Sequence, residues 1–345
     1  MVLEVQAATL GELGIRTRHV ADTASITFRR EGYTNNSVPS VSFVIPIHNM
    51  GRFLFDNLRH LSINSREKHE FVVVLDDCTD DSESELGLAA YEMSKSDFFL
   101  GLTVVQSAQS LFETVSDKVG IALSSGRFVI EVQSDMQIRE VGFDSKMVVA
   151  LQQNPDIFAL SGRGCHHWDF LEASEKSLVR RQKQRAAVWL QKLFGKKNKT
   201  LTNRFIFHNV NYFGRCGNWI ESPGFVGTKI FLSETAMRGP LIFERTRYDS
   251  LGGFDSTQFF LGEDDHDLTF RAWTSEQWRS GYLAIDFESP LDHGATRQPK
   301  SEVEVNEFVR IAGLYPKRAR IVLPKGSVRP AKTIRPMEWA SAQHQ

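Results

Sequence analysis

Four carboxylates fall within five positions in the stretch FFLGEDDHDLTFRAW: Glu263, Asp264, Asp265 and Asp267. Phe259, Phe260 and Leu261 precede them, and Leu268, Phe270 and Trp273 follow. A solvated acidic loop has no need of apolar flanks, and a core strand does not tolerate the charges. The composition fits a loop running into a helix, where acidic residues in the first turn meet the positive end of the backbone dipole. Two roles are open to such a group. It is an acidic helix cap, or it sets carboxylates at the mouth of a partly buried site, where burial or a nearby charge tunes one of them as a base. Further aspartates stand just beyond apolar runs: Asp76 and Asp77 after EFVVVL, and Asp135 after RFVIEVQS.

The elements that must position these groups become clear from Val38 onward. VPSVSFVIPIHN alternates Val41, Phe43 and Ile45 and reads as a strand ending at Pro46. Leu54, Leu58 and Leu61 then form one helix face. Phe71 to Leu75 is a continuous apolar run, as expected of a parallel strand buried on both faces. Ser82 with Glu85, and Ser110 with Glu113, have capping-box spacing and predict helix starts. Short strands at Leu102–Val105 and RFVIEV, a helix in VGFDSKMVVALQQNP and a strand in DIFAL complete a β-α-β-α alternation. That alternation gives an α/β fold, an open and mostly parallel sheet with helices on both faces. Ligands of such sheets bind beyond the carboxyl ends of the strands, where Asp76, Asp77 and Asp135 stand.

Residues 162–240 break the rhythm. KSLVRRQKQRAAVWLQKLFGKKNKT carries nine Lys/Arg and no acid, with an apolar edge on a helical projection; it suits a solvated helix or a helix facing an anionic surface. A helix from about Asp267 to Ser280, ended by Gly281, and a last strand in YLAIDF follow. Residues 1–37 read as an arm, with short strands offered by ATLGELG and VADTASITFRR. Residues 301–345 read as a helix followed by a basic, proline-containing tail.

Composition narrows the class. The 345 residues are 41% hydrophobic and 24% charged, with a net charge of −1, so nothing overall favours nucleic acid. Cys78, Cys165 and Cys216 form no CxxC pair, which argues against a disulfide framework or a zinc site and for a reducing, cytoplasmic setting. No signal peptide and no membrane-spanning run is expected.

The motifs VSFVIPIHN, VVVLDDCTDDS, SSGRFVIEVQSDM, LGGFD and LGEDDHDL, in this order, resemble family 2 glycosyltransferases of the GT-A fold. The resemblance spans roughly Val38 to His293 and implies a unit at 38–300, with a nucleotide-sugar half at 38–161 and an acceptor half at 162–300. It implies that Pro46 borders the nucleotide pocket and that Asp77, with Asp76 beside it, recognises the base. Ser134 and Asp135 would stand at the donor diphosphate. Asp135 would hold Mn2+ or Mg2+, with His293 as a weaker further ligand. Asp264 would be the general base of an inverting transfer, and Glu263 or Asp265 would position the acceptor hydroxyl. Lys118 is expected to face the diphosphate. The implied donor is a UDP- or GDP-sugar, and the implied acceptor a glycan or lipid-linked glycan. The basic segment 176–199 would then offer a peripheral membrane contact.

The chain also departs from that family. A strict DxD needs an acid at Gln133, and SDKVG stands where many members carry Arg-Asn. No QxxRW follows the acidic loop, which speaks for single transfers rather than processive synthesis. Retention and metal-independent transfer stay open, as does a donor-binding module without catalysis. A sugar-1-phosphate nucleotidyltransferase is disfavoured by IPIHNMGRF, which lacks a GxGxR-like loop, and a dehydrogenase by the missing GxGxxG.

Overall fold

The computed structural model describes residues 4–33, 38–163, 165–166, 210–211, 229–233, 235–288, 301–307, 310 and 332–333. In the first half, β1 (Val5–Thr9) and β2 (Ser25–Glu31) precede β3 (Val41–Ile47), α1 (Gly51–Asn64), β4 (His69–Asp76), α2 (Ser82–Met93) and β5 (Phe99–Ser107). Then come α3 (Phe112–Leu123), β6 (Phe128–Glu131), β7 (Gln137–Ile138), α4 (Phe143–Gln152) and β8 (Ile157–Ser161). The second half adds β9 (Cys165–His166), β10 (Val210–Asn211), β11 (Lys229–Ser233), β12 (Thr235–Ala236) and β13 (Leu241–Glu244). It closes with α5 (Arg245–Ser250), α6 (Asp264–Glu276), β14 (Arg279–Tyr282), β15 (Phe287–Glu288) and β16 (Lys332–Thr333).

Among the described residues the main sheet has eleven strands in the order β1-β2-β5-β4-β3-β6-β13-β8-β14-β11-β16. β2, β11 and β13 run against the others, so the sheet is mostly parallel, as the alternation predicts. The pleat of the central strands divides two cores. Phe43, Ile45, Phe71, Val73 and Ile130 join Leu54, Leu58 and Leu61 of α1, Leu86 of α2 and Met147 of α4 on one face. Val44, Val72, Val74 and Val129 join Val115 and Val119 of α3, Tyr248 of α5 and Leu268 of α6 on the other. Period-two alternation along strands buried on both sides is what places one helix layer on each face.

Several local expectations are revised. Residues 4–33 are more than an arm, because β1 and β2 extend the sheet beyond β5. Neither capping box forms. Ser82 turns its hydroxyl to Asp80 at 2.6 Å, and the start of α3 is capped from β4 by Asp76. The predicted helix over Asp267–Ser280 begins at Asp264 and stops at Glu276, because Gln277 takes a left-handed C-cap (φ 58°). The chain then pairs with β8 as β14. Trp278 stacking on Phe158 anchors that reversal.

Gly120 seats α3 on the sheet: a Cβ there would lie 2.5 Å from Val44 Cγ1 and 3.4 Å from Val74 Cγ2. Overpacking of that kind costs about 1–3 kcal/mol. Gly120→Ala is therefore expected to lower the urea midpoint. An unchanged midpoint would show that α3 rides freely on β3 and β4.

Candidate functional site

The loops after β3 and β4 lock into each other. His48 Nδ1 lies 2.7 Å from the Asp76 carbonyl oxygen, and Thr79 N–H donates to Asn49 Oδ1 at 2.8 Å. Gly51 N–H, at the start of α1, donates to Asp80 Oδ2 at 2.9 Å. The fit excludes a side chain at Gly51, whose Cβ would fall 1.9 Å from Asp81 Oδ1. Asp77 sits in this framework with φ 48°, its N–H donating to the Ser107 carbonyl at 3.0 Å. A non-glycine residue in left-handed backbone costs about 1–3 kcal/mol and often marks a working position.

Asp76 does something else. Its carboxylate is buried and accepts from the N–H groups of Leu111 and Phe112, at 2.6 and 2.9 Å. Phe112 has φ 62°, so Asp76 holds a strained helix start in place. Burial raises its pKa to about 6, against the pull of those two donors. Both of its oxygens serve as an internal cap of α3. Pro46 lies within β3 beyond the ladder to β6, which ends at Val44; a missing N–H costs no bond on that side.

Asp135 is buried in the turn after β6. Asn57 of α1 donates to the Ser134 carbonyl, fixing that turn against the helix. Gln133 is fully engaged. Its Nε2 donates to Glu113 Oε1 at 3.1 Å, and its Oε1 accepts from Arg163 Nη1 at 2.8 Å. Lys118 is half-buried with Asp255 and Arg271 as its charged neighbours, rather than Asp77 or Asp135. Burial lowers its pKa, Asp255 opposes that, and the placement gives no support to a diphosphate contact. His293 and the segment 176–199 lie outside the described residues.

Arg238, which sequence reasoning passed over, organises the acidic helix. It is 4% exposed, and Asp117 and Asp264 beside it are 0% exposed. Its Nη1 lies 2.6 Å from Asp117 Oδ2 and 3.1 Å from Glu113 Oε1, and its Nη2 pairs with Asp264. Its backbone N–H donates to Asp265 Oδ2 at 2.8 Å. Glu131 closes the group, accepting from Gly239 N–H at 2.9 Å. Five carboxylates thus surround one guanidinium. They cannot all be charged. Burial drives Glu131 well above the usual carboxylate range and Asp117 up to about 7. Asp265 is held low: desolvation raises it, but His266, Arg238 and two backbone N–H donors prevail.

The three predicted carboxylates of the loop therefore differ. Asp264 is sealed in an ion pair, and Asp265 is tied to the backbone of Arg238 and of His266. Glu263 is half-buried, with φ 65°. Burial raises its pKa, and its Oε2 has no hydrogen-bond partner among the described residues. Asp267 looks backward instead: it accepts from Arg271 Nε at 2.8 Å, and Arg271 also donates to the carbonyls of Leu251 and Gly253. LGGFD and the acidic helix are one physical unit.

A divalent cation prefers several hard oxygen ligands. No group of three or more His, Cys, Asp or Glu able to hold a metal occurs among the described residues. After β6 the carboxylate is Asp135, and the amide oxygen of Gln133 already accepts from Arg163. The described residues alone do not fit a resident metal.

No family model and no curated protein sequence matches the chain. A solved structure of the mannosyltransferase PcManGT from Pyrobaculum calidifontis, in complex with GDP-Man and Mn2+, is similar at 15% identity with a TM-score of 0.50. It is matched over 86% of this chain and 67% of that one. The fold is GT-A. A structure of S. aureus TarS 1–349 is similar at 12% identity with a TM-score of 0.47, over 83% of this chain and 66% of that one. In open α/β sheets ligands bind beyond the carboxyl ends of the strands; Asp77 and Asp135 follow those of β4 and β6, and Gln133 and Glu113 connect the latter to the Arg238 group.

The buried acids predict a pH dependence. Asp76 and Asp144 are raised to about 6 and Asp117 to about 7, from an ordinary 3.8, in each case chiefly by burial. The native state thus keeps protons that the unfolded chain has released. That stabilisation is complete below about pH 4 and is lost as pH rises through about 6 to 7. The melting temperature is expected to fall by a few degrees from about pH 4.5 to about pH 8, and Asp117→Asn to flatten the slope. Scanning calorimetry that shows a rise over this range overturns the assignment.

Proposed function

We propose that the chain is a glycosyltransferase that moves a sugar from a nucleotide-diphosphate donor, UDP- or GDP-linked, to an acceptor hydroxyl of a glycan or lipid-linked glycan. The observation that carries this reading is the pairing of two features at one sheet edge. Asp77 stands strained and half-exposed after β4. The turn carrying Asp135 is wired through Gln133, Glu113 and Arg238 to the acidic helix. The GT-A fold supports it, and so does the neighbour solved with GDP-Man. Asp77 would accept from the nucleobase and Asp135 would stand at the diphosphate.

The geometry favours Glu263 over Asp264 as the base. To take a proton, Asp264 would first have to leave Arg238 and a fully buried site. Glu263 is only half-buried, and burial raises its pKa, the direction that makes it the stronger base. In the inverting reaction the acceptor oxygen bonds to the anomeric carbon while the bond to the donor phosphate breaks. The phosphate oxygen keeps that electron pair, and the hydroxyl proton passes to Glu263. Asp265, held ionised, would orient the helix start rather than the acceptor.

One observation favours a second reading, a donor-binding module without turnover: the sequence-predicted base is sealed. A nucleotide-sugar panel decides between them, with binding read by calorimetry and turnover by released nucleoside diphosphate. Glu263→Gln is expected to keep donor binding and lose turnover about 100-fold or more. Asp264→Asn is expected mainly to lower the melting temperature, since it removes one partner of a buried ion pair. Binding without turnover in the wild type, across all donors and acceptors tried, would favour the module.

Contact of segment 176–199 with an anionic membrane belongs to the same proposal. Failure to co-sediment with anionic vesicles at low salt removes it.

A further inference from the structure

Gln133 occupies the position where the resemblance calls for a metal-binding acid, and it is not idle. Its amide spans two groups of opposite charge, accepting from Arg163 Nη1 at 2.8 Å and donating to Glu113 Oε1 at 3.1 Å. An aspartate there could not donate to Glu113. The glutamine holds a guanidinium at the mouth of β6, two residues before Asp135.

Arg163 is fixed from its own side as well. It follows β8, whose Ser161 is level with Leu241 of β13 and so with Glu131 of β6. Its N–H donates to Ser161 Oγ at 3.1 Å. Gly162 before it donates to the Pro240 carbonyl at 2.8 Å, and a Cβ at Gly162 would lie 2.7 Å from Ile285 Cγ1 and 2.9 Å from Pro240 Cγ. The chain is thus pressed against the sheet end just where the arginine emerges. β6 and β8 deliver Asp135 and Arg163 to the same carboxyl edge.

Resting on the glycosyltransferase reading above, we propose that Arg163, positioned by Gln133, neutralises the donor's diphosphate in place of a divalent cation. A guanidinium is charged at any working pH and presents a planar fork of donors that matches phosphate oxygens. As the glycosyl bond breaks and the leaving diphosphate gains its electron pair, the developing charge meets a fixed cation. Glu113, shared between Gln133 and Arg238, ties this group to the acidic helix. Donor charge and acceptor-side carboxylates are therefore placed by one network.

The full chain is titrated with UDP, GDP and their sugars by calorimetry, in EDTA and again with Mn2+. Uridine and guanosine, which lack phosphate, are followed by NMR. One nucleoside diphosphate is expected to bind in EDTA within about threefold of its affinity with Mn2+. Arg163→Ala is expected to weaken that binding about 100-fold, the scale of truncating one partner of a hydrogen-bonded charge pair, while leaving the nucleoside unaffected. Arg163→Lys should fall between, because it keeps the charge and loses the fork. Gln133→Leu should do the same, because it frees the guanidinium without removing it. Diphosphate binding that vanishes in EDTA and returns with Mn2+ overturns the arginine and leaves the glycosyltransferase reading standing. So does an Arg163→Ala variant that binds diphosphate as the wild type does, or that loses nucleoside and diphosphate alike. If the wild type binds no nucleotide under either condition, both proposals fall together.

Discussion

A guanidinium buried among five carboxylates is the constraint on which the rest of this structure turns. Arg238 and the side chains of Asp117 and Asp264 lie almost wholly out of water. Removing an ion from water costs several kcal/mol even after relaxation, and pairing often does no more than offset that cost. Part of the group also lacks ideal partners: among the described residues Arg238 Nε and Asp117 Oδ1 have no hydrogen bond, and the close Arg238–Asp117 pair is not aligned as one. An apolar core of similar volume often serves stability as well or better. What the cluster does provide is placement. It pins α3, β6, the turn at Gly239 and the start of α6 to one point, each through a charged or directional contact.

Placement at that point explains motifs that are far apart in the chain. Gly253 presses on the Tyr248 ring, the Tyr248 hydroxyl accepts from Phe254 N–H, and Arg271 grips the carbonyls of Leu251 and Gly253 from α6. The LGGFD turn is thereby the far support of the acidic helix. From the other side, His19 packs on Phe260 and Phe112, and Ser256 donates to the Arg16 carbonyl. The N-terminal residues thus steady the loop that leads to Glu263.

The parts of this that can be read from the chain are the local ones. Phe71 to Leu75 announces a doubly buried strand, and aspartates just past its end announce a cleft. The α/β alternation and the acidic helix start are likewise carried by neighbours in sequence. Arg238 is different. It is a single cation in AMRGPLIFE, and its meaning comes from Asp117, 121 residues earlier, and from Asp264. SDKVG contains that Asp117, but the expectation of a cation near a diphosphate draws the eye to Lys118. Asp76 and Asp77 look equivalent as letters, yet one caps α3 and the other stands strained at the cleft. The three acids of the loop separate only when burial and partners are known. α6 stops early where Gln277 turns left-handed and the next residue, Trp278, stacks on Phe158, a distant contact that no local pattern encodes.

The interlocked loops after β3 and β4 carry a further consequence. Asn49 holds Thr79, Asp80 holds the first N–H of α1, and Gly51 leaves no room between the loops. A molecule arriving at that edge meets walls that are already set, so little conformational entropy is lost as it binds. Affinity there is governed by what the visitor touches rather than by what it must organise. On the proposed reading, selectivity there would come from rejection, since interlocked loops resist widening to admit a larger ring.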